Sequence, residues 1–145
     1  KNLSINNYML NEEKFFKLNQ IRLQFSNFQE SMNKLNSLVS NLVRGKKEVY
    51  AYGSPTKASL LLISANLNKG FIKYTFEDNS LKCNKFIPGT DIKIISSSQI
   101  SVYKPKFIII LAWNFTAEIR KRLRKNNFKN ISLIIPLPKP KLLKI

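Results

Sequence analysis

"VYAYGSPTKASLLLISANL", residues 49–67, reads as a short apolar strand, a tight turn and a helix. The strand spans Glu48–Tyr52. The helix spans Pro55–Leu67, with Ser54 placed to cap its N-terminus. The same grammar recurs downstream. Gly70 precedes a strand at Phe71–Phe76, a polar loop "EDNSLKCNKFIPGT" follows, and a third strand occupies Asp91–Ile95. "SSSQIS" suits a brief helical turn. Phe107–Ala112 is rich in isoleucine, as expected of a strand buried on both faces. Asn114–Lys125 is a helix with Asn114 as candidate cap, and Ile131–Ile135 is a last strand. Strands alternating with helices or long crossings predict an α/β fold of three layers. A mainly parallel sheet of about five strands lies between helices.

Upstream of this unit the period changes. Residues 1–10 read as a tail or linker, and residues 11–45 as one long helix without proline before its closing glycine. Apolar residues recur at Ile21, Phe25, Phe28, Met32, Leu35, Val39 and Leu42, a seven-residue repeat with one apolar seam. Such a seam serves either the helix's own domain or a partner. Gly45 stands where a C′ glycine commonly ends a helix. The boundaries are therefore 1–10 tail, 11–45 helix, 46–140 α/β domain and 141–145 tail, with a Pro-Leu-Pro-Lys-Pro run before the last.

The chain has 145 residues, 43% of them hydrophobic, enough for one domain with a sizeable core. No apolar run approaches the roughly 18–20 residues of a membrane helix, so no membrane partner is expected. No signal-peptide pattern is visible, and a cytoplasmic setting fits the single cysteine, Cys83. The chain opens on Lys1 rather than methionine, consistent with a piece of a longer protein. There is no histidine, which leaves no imidazole for acid–base chemistry and nearly excludes a structural zinc site. No metal ligands and no catalytic residues are assigned. Cys83 sits in a lysine-flanked loop, but a lone cysteine has no base beside it in this sequence. The net charge is +17. That surface tolerates anionic ligands without naming one, because lysine, asparagine and isoleucine are abundant throughout.

In a parallel sheet, ligands sit beyond the carboxyl ends of strands. Gly53-Ser54-Pro55-Thr56-Lys57 lies at such an end. Gly53 permits a sharp turn, Ser54 and Thr56 carry hydroxyl donors, and Lys57 adds a charge. The turn matches neither G-x-G-x-x-G nor the Walker A loop. Anion binding and an ordinary capped turn both remain open. Glu77 follows Gly53 by 24 positions, near the spacing at which an acid takes ribose hydroxyls. A polar loop is the alternative. Phe86-Ile87-Pro88-Gly89 is a rigid turn. Trp113 and Asn114 end the apolar strand and offer a flat ring and an amide, or a core plug and a cap.

Taken in order, "YGSPTKASLLL", "EDNSLKCNKFIPGTDIKI", "KPKFIIILAWNFTAEI" and "LIIPLPKP" resemble the carboxyl-terminal domain of the sugar C-methyltransferases. These are S-adenosylmethionine-dependent enzymes acting on nucleotide-linked deoxysugars. The resemblance covers about residues 46–140. It implies a Rossmann-like domain that follows a zinc-binding domain and a methyltransferase domain, with the nucleotide sugar between the last two. Family motifs of the form Tyr-Gly-Ala-x-x-Lys-Gly, Asp-x-Asn-Pro-x-Lys-x-Gly with a following Pro-Gly, and Trp-Asn carry over residue by residue. Tyr52, Gly53 and Lys57 match the first, Asn79, Lys82, Pro88 and Gly89 the second, and Trp113 and Asn114 the third. The family's alanine falls on Ser54, its first-motif glycine on Ala58, its aspartate on Glu77, its proline on Ser80 and its second-motif glycine on Asn84.

The resemblance thus implies a nucleotide-diphosphate-sugar-binding domain, inactive alone. No cofactor is expected in this chain, and S-adenosylmethionine is expected in the full-length enzyme. The missing methyltransferase domain is the expected partner. Two other readings compete. One is a basic nucleic-acid module using Arg120–Lys125, disfavoured by the lack of paired aromatic motifs. The other is a non-catalytic interaction domain that dimerises through the N-terminal helix.

Overall fold

The isoleucine run Ile108–Ile110 forms part of the buried core. A computed structural model describes residues 18–145 and divides the chain into two units, 1–30 and 31–145. In the second unit, β5 (Phe107–Ile110) lies inside a seven-stranded sheet, with Ile108, Ile109 and Ile110 fully buried. It pairs in parallel with β1 (Val49–Tyr52) and β6 (Ser132–Ile135). β1 pairs in parallel with β2 (Ile72–Glu77), which pairs in parallel with β4 (Ile92–Ser96).

The five expected strands are therefore present and parallel, but the sheet is larger and mixed. β3 (Phe86–Ile87) and β7 (Lys141–Lys144) add antiparallel edges, giving the order β3-β4-β2-β1-β5-β6-β7. Phe86-Ile87, expected only as the approach to a turn, is long enough to form two rungs with β4. Lys141–Lys144, expected as tail, forms four rungs with β6.

The strand order fixes the layers. From β1 the chain passes through α2 (Ala58–Ser64) to β2 on one side. From β5 it passes through α4 (Thr116–Lys125) to β6 on the other. Right-handed crossovers running in opposite directions put α2 and α4 on opposite faces. Ile119 and Leu123 of α4 accordingly share a cluster with Tyr52, Phe76, Ile110 and Leu133. Leu61 and Leu62 of α2 are buried outside that cluster.

Helix α1 (Leu18–Arg44) lacks proline and glycine. Its seam divides. Met32, Leu35 and Val39 are fully buried, whereas Ile21 and Phe25 are exposed, Phe25 by 67%. Residues 1–17, including the start expected for this helix, lie outside the described residues. Asn36 Nδ2 donates to the carbonyl of Ala65 at 2.8 Å, and Ser31 Oγ to that of Pro138 at 2.8 Å, fixing the buried half of α1.

The helix ends differ from expectation. Gly45 is not the left-handed residue; Lys46 is, with φ of 57°. The Lys46 N–H donates to the Val43 carbonyl and the Lys47 N–H to that of Leu42, which makes a Schellman closure with Lys46 at C′. Helix α2 starts at Ala58 rather than Pro55, because Ser54 spends its side chain elsewhere. A 3-10 turn, Trp113–Phe115, precedes α4, so Asn114 caps nothing, and Thr116 Oγ1 donates to the Trp113 carbonyl at 2.6 Å. The "SSSQIS" segment forms a 3-10 turn, Ser97–Gln99, followed by α3 (Ile100–Tyr103).

Candidate functional site

β1 lies between β2 and β5, and the chain leaves it toward one side and β5 toward the other. The carboxyl ends of β1 and β5 are thus the switch point at which such sheets open a crevice. The Tyr52 carbonyl accepts from the Leu111 N–H at 2.9 Å and the Gly53 N–H donates to the Phe76 carbonyl at 2.8 Å. These bonds extend both ladders one step beyond the strands. Above them is a cleft of about 360 Å³. It is lined by Tyr52–Pro55 after β1, by Glu77, Asp78 and Lys82 after β2, and by Ala112, Phe115 and the Glu118–Arg122 side of α4.

Gly53 turns the chain with φ of +83°, which explains a glycine there. The space it leaves is not open. A Cβ built on Gly53 would lie 2.9 Å from the Ala112 Cβ, so the close approach it allows is to the β5 loop of its own chain. Thr75 Oγ1, buried in β2, donates to the Gly53 carbonyl at 3.1 Å and holds the turn.

Glu77 staples the same turn. One of its carboxylate oxygens accepts from the Ser54 N–H at 2.8 Å and from the Ser54 hydroxyl. The other accepts from the N–H groups of Asp78 and Asn79 at 3.0 and 3.1 Å. Burial pushes this carboxyl upward, but the Ser54 and Asn79 hydrogen bonds and the nearby Lys82 charge outweigh it and hold the pKa low. Lys82 Nζ donates to the Ser54 carbonyl at 3.0 Å. Ser54, Glu77 and Lys82 are therefore one clamp around the turn.

A second network crosses the cleft. The Tyr52 hydroxyl donates to Asp78 at 3.0 Å, Ser97 Oγ donates to Asp78 Oδ1 at 2.7 Å, and Arg122 of α4 forms an ion pair with Asp78. Burial raises the Asp78 pKa, yet the bonds from Ser97, Tyr52 and Arg122 lower it overall. Burial first, then the charge and hydrogen bond of Asp78, push the Tyr52 phenol up to about 12, so the ring stays a neutral donor at physiological pH.

The other residues singled out from the sequence do not line this cleft. Lys57 Nζ lies over the Trp113 ring, 4.0 Å from its centroid, a cation–π contact that joins the β1 and β5 loops and covers one ring face. Thr56 and Asn114 are exposed. Asn79 caps a 3-10 turn, Ser80–Lys82, by accepting from the Leu81 N–H at 3.0 Å. Pro88 and Gly89 are not brought to the cleft. They turn between β3 and the start of β4, at the opposite end of the sheet, against Ile63 of α2. Asp78, in the acidic Glu77-Asp78-Asn79 stretch singled out after β2, lines the cleft, and Phe115 and Arg122 line it without having been expected there. Arg122 was visible only as part of a basic run. Cys83 is a free thiol. Among the described residues no group of acids, cysteines or histidines could hold a metal ion, and no helix is long and apolar enough to cross a membrane.

Residues 4–138 match the family model described as the C-methyltransferase C-terminal domain. The chain belongs to this family. The chain is also 32% identical over 109 residues to the C-methyltransferase NovU of Streptomyces niveus, covering 75% of this chain and 26% of that protein. The chain thus spans about a quarter of the curated relative. The structure accommodates two of the departures noted in the sequence. The position of the second-motif glycine is Asn84, and it has φ of 64°, so asparagine occupies the left-handed conformation there. Serine at position 54 and the longer glutamate at 77 meet each other in the clamp.

Proposed function

We propose that this chain is the carboxyl-terminal domain of an S-adenosylmethionine-dependent C-methyltransferase, and that its switch-point cleft binds a nucleotide-diphosphate sugar. The carrying observation is a cleft at the carboxyl ends of β1 and β2, with Lys82 and Arg122 on its walls, in a chain of this family. Lys82 and Arg122 each keep N–H donors beyond their bonds to the Ser54 carbonyl and to Asp78, and those donors suit a diphosphate. The exposed Phe115 ring, 61% accessible at the cleft, suits stacking on a base or sugar. Trp113 has one face taken by Lys57, and in this reading the two act with Thr56, Asn79 and Asn114 on the sugar or nucleotide from outside the cleft wall. Glu77 is saturated by four donors, so it supports this site by shaping the Tyr52-Gly53-Ser54 turn rather than by taking a ribose hydroxyl.

Methyl-donor binding belongs in this reading to the rest of the protein. The one glycine at the cleft turn faces Ala112, not an open cradle. The missing methyltransferase domain would close the cleft, and Leu18, Ile21, Leu23 and Phe25 of α1 supply exposed apolar surface for a contact. The same residues favour self-association as a second reading; a monomer in sedimentation at high concentration removes it. A cytoplasmic setting suits the lone, unpaired thiol.

Calorimetric titration with thymidine- or uridine-diphosphate sugars tests the site. Saturable binding is expected, weakened about tenfold or more in Arg122→Ala and in Lys82→Ala. Lys57→Ala is expected to have a smaller effect. Absence of heat in the chain joined to its methyltransferase domain would overturn the reading.

A further inference from the structure

The opposite end of the sheet carries a second constellation that the cleft does not use. Between the end of α3, the start of β5 and the end of α4 lies a cavity of about 480 Å³. Its floor is Pro105 and Ile131, both buried, and the half-buried Phe128. Its wall carries the amides of Asn126, Asn127 and Asn130. A second cavity of about 260 Å³ adjoins it across Lys104, Pro105 and Lys106 and is bordered by Lys46, Lys47 and the Tyr103 ring.

The two compartments differ in chemistry. The larger offers an aromatic and aliphatic floor with amide groups on its wall, which suits a planar heterocycle bearing donors and acceptors. The smaller is bordered by lysines. None of Lys46, Lys47, Lys104, Lys106 and Lys129 has an ion pair or side-chain hydrogen bond among the described residues. The three asparagine amides likewise have no side-chain hydrogen bond there. Glu48, which borders the smaller cavity, already accepts from the Tyr50 hydroxyl at 2.8 Å and pairs with Lys73 at 3.6 Å. Lysines at helix C-termini are ordinary compensation for the helix dipole. Dipole compensation does not account for a mainly apolar, open cavity lined by three asparagines among them.

We infer that this end of the sheet is a second binding site, for a nucleotide unit. The base would enter the Phe128 compartment, and the phosphate would sit between Lys104, Lys106 and the Lys46-Lys47 pair. The unit has two sources with the same chemistry: a free nucleotide, or one residue of a single-stranded nucleic acid.

The test is a heteronuclear NMR titration of the isotope-labelled chain with nucleoside monophosphates, with a short oligothymidine, and with inorganic phosphate. Supporting results are saturable shifts at residues 104–107 and 126–131, stronger for a nucleotide than for phosphate. A monophosphate as tight as the oligonucleotide assigns a free nucleotide. An oligonucleotide tighter by tenfold or more, with a steep loss on adding salt, assigns a nucleic acid. Lys106→Glu and Lys129→Glu, both exposed, are expected to weaken binding several-fold without changing the melting temperature. Arg122→Ala, at the other end of the sheet, is expected to leave it intact. Shifts confined to the switch-point cleft, or a response to phosphate equal to that to nucleotides, would overturn the inference.

Discussion

Gly53 meets two demands at once. Its φ of +83° lies where an L side chain costs roughly 1–2 kcal/mol, and an added Cβ would lie 2.9 Å from that of Ala112. Gly53→Ala is expected to destabilise the domain by about 2 kcal/mol or more in urea unfolding, since strain and overlap add. Glu77 and Asp78 set the acid limit. Both have folded-state pKa values below their ordinary ones, so their contribution is present above about pH 4 and is lost as pH falls through the lowered values. The urea midpoint should drop between about pH 4 and pH 2, and the drop should be shallower in Glu77→Gln. The order Tyr52-Gly53-Ser54 followed by Glu77 was legible from spacing. That Glu77 would close on Ser54 was not, because its partners depend on how far beyond β1 and β2 the ladders continue. Arg122 was illegible for a simpler reason. Its partner Asp78 lies 44 positions away, and only the docking of α4 brings them together.

The end of α1 was read from Gly45, and the helices close without a left-handed glycine. α1, α2 and α4 each close through a left-handed residue, Lys46, Asn66 and Asn127, with the paired bonds of a Schellman motif. Asparagine tolerates this conformation and lysine less so. Lys46→Gly is therefore expected to stabilise by about 0.5–1 kcal/mol, after the greater unfolded-state freedom of glycine is discounted. Asn127→Gly should gain less, and thermal unfolding of the two variants measures the difference. The strands were more legible. Short apolar runs between turn and loop segments located all five parallel members, and the isoleucines of β5 alone marked a strand covered on both faces. β3 escaped because two residues carry no periodicity. β7 escaped because "KLLK" after three prolines has the composition of a tail.

Across the whole molecule, alternation of strands and helices was enough to predict the layers, since handed crossovers leave few topologies. It also located the switch point, and with it the cleft. What it could not reveal is how the sheet is finished at its sides. β6 presents Leu133, Ile134 and Ile135, all buried, and would be an edge but for β7, whose Lys141 and Lys144 are exposed. An apolar strand with open N–H and C=O groups is a template for other chains, and charged edge residues discourage that pairing. The final strand thus acts as a stopper against polymerisation. A chain ending at Pro140 should still hold the cleft residues together, yet turn turbid on concentration, and light scattering would show it. Monodisperse behaviour of that truncated chain would contradict this role. With that role, Lys141–Lys144 bear on the colloidal behaviour of the domain more than on its chemistry.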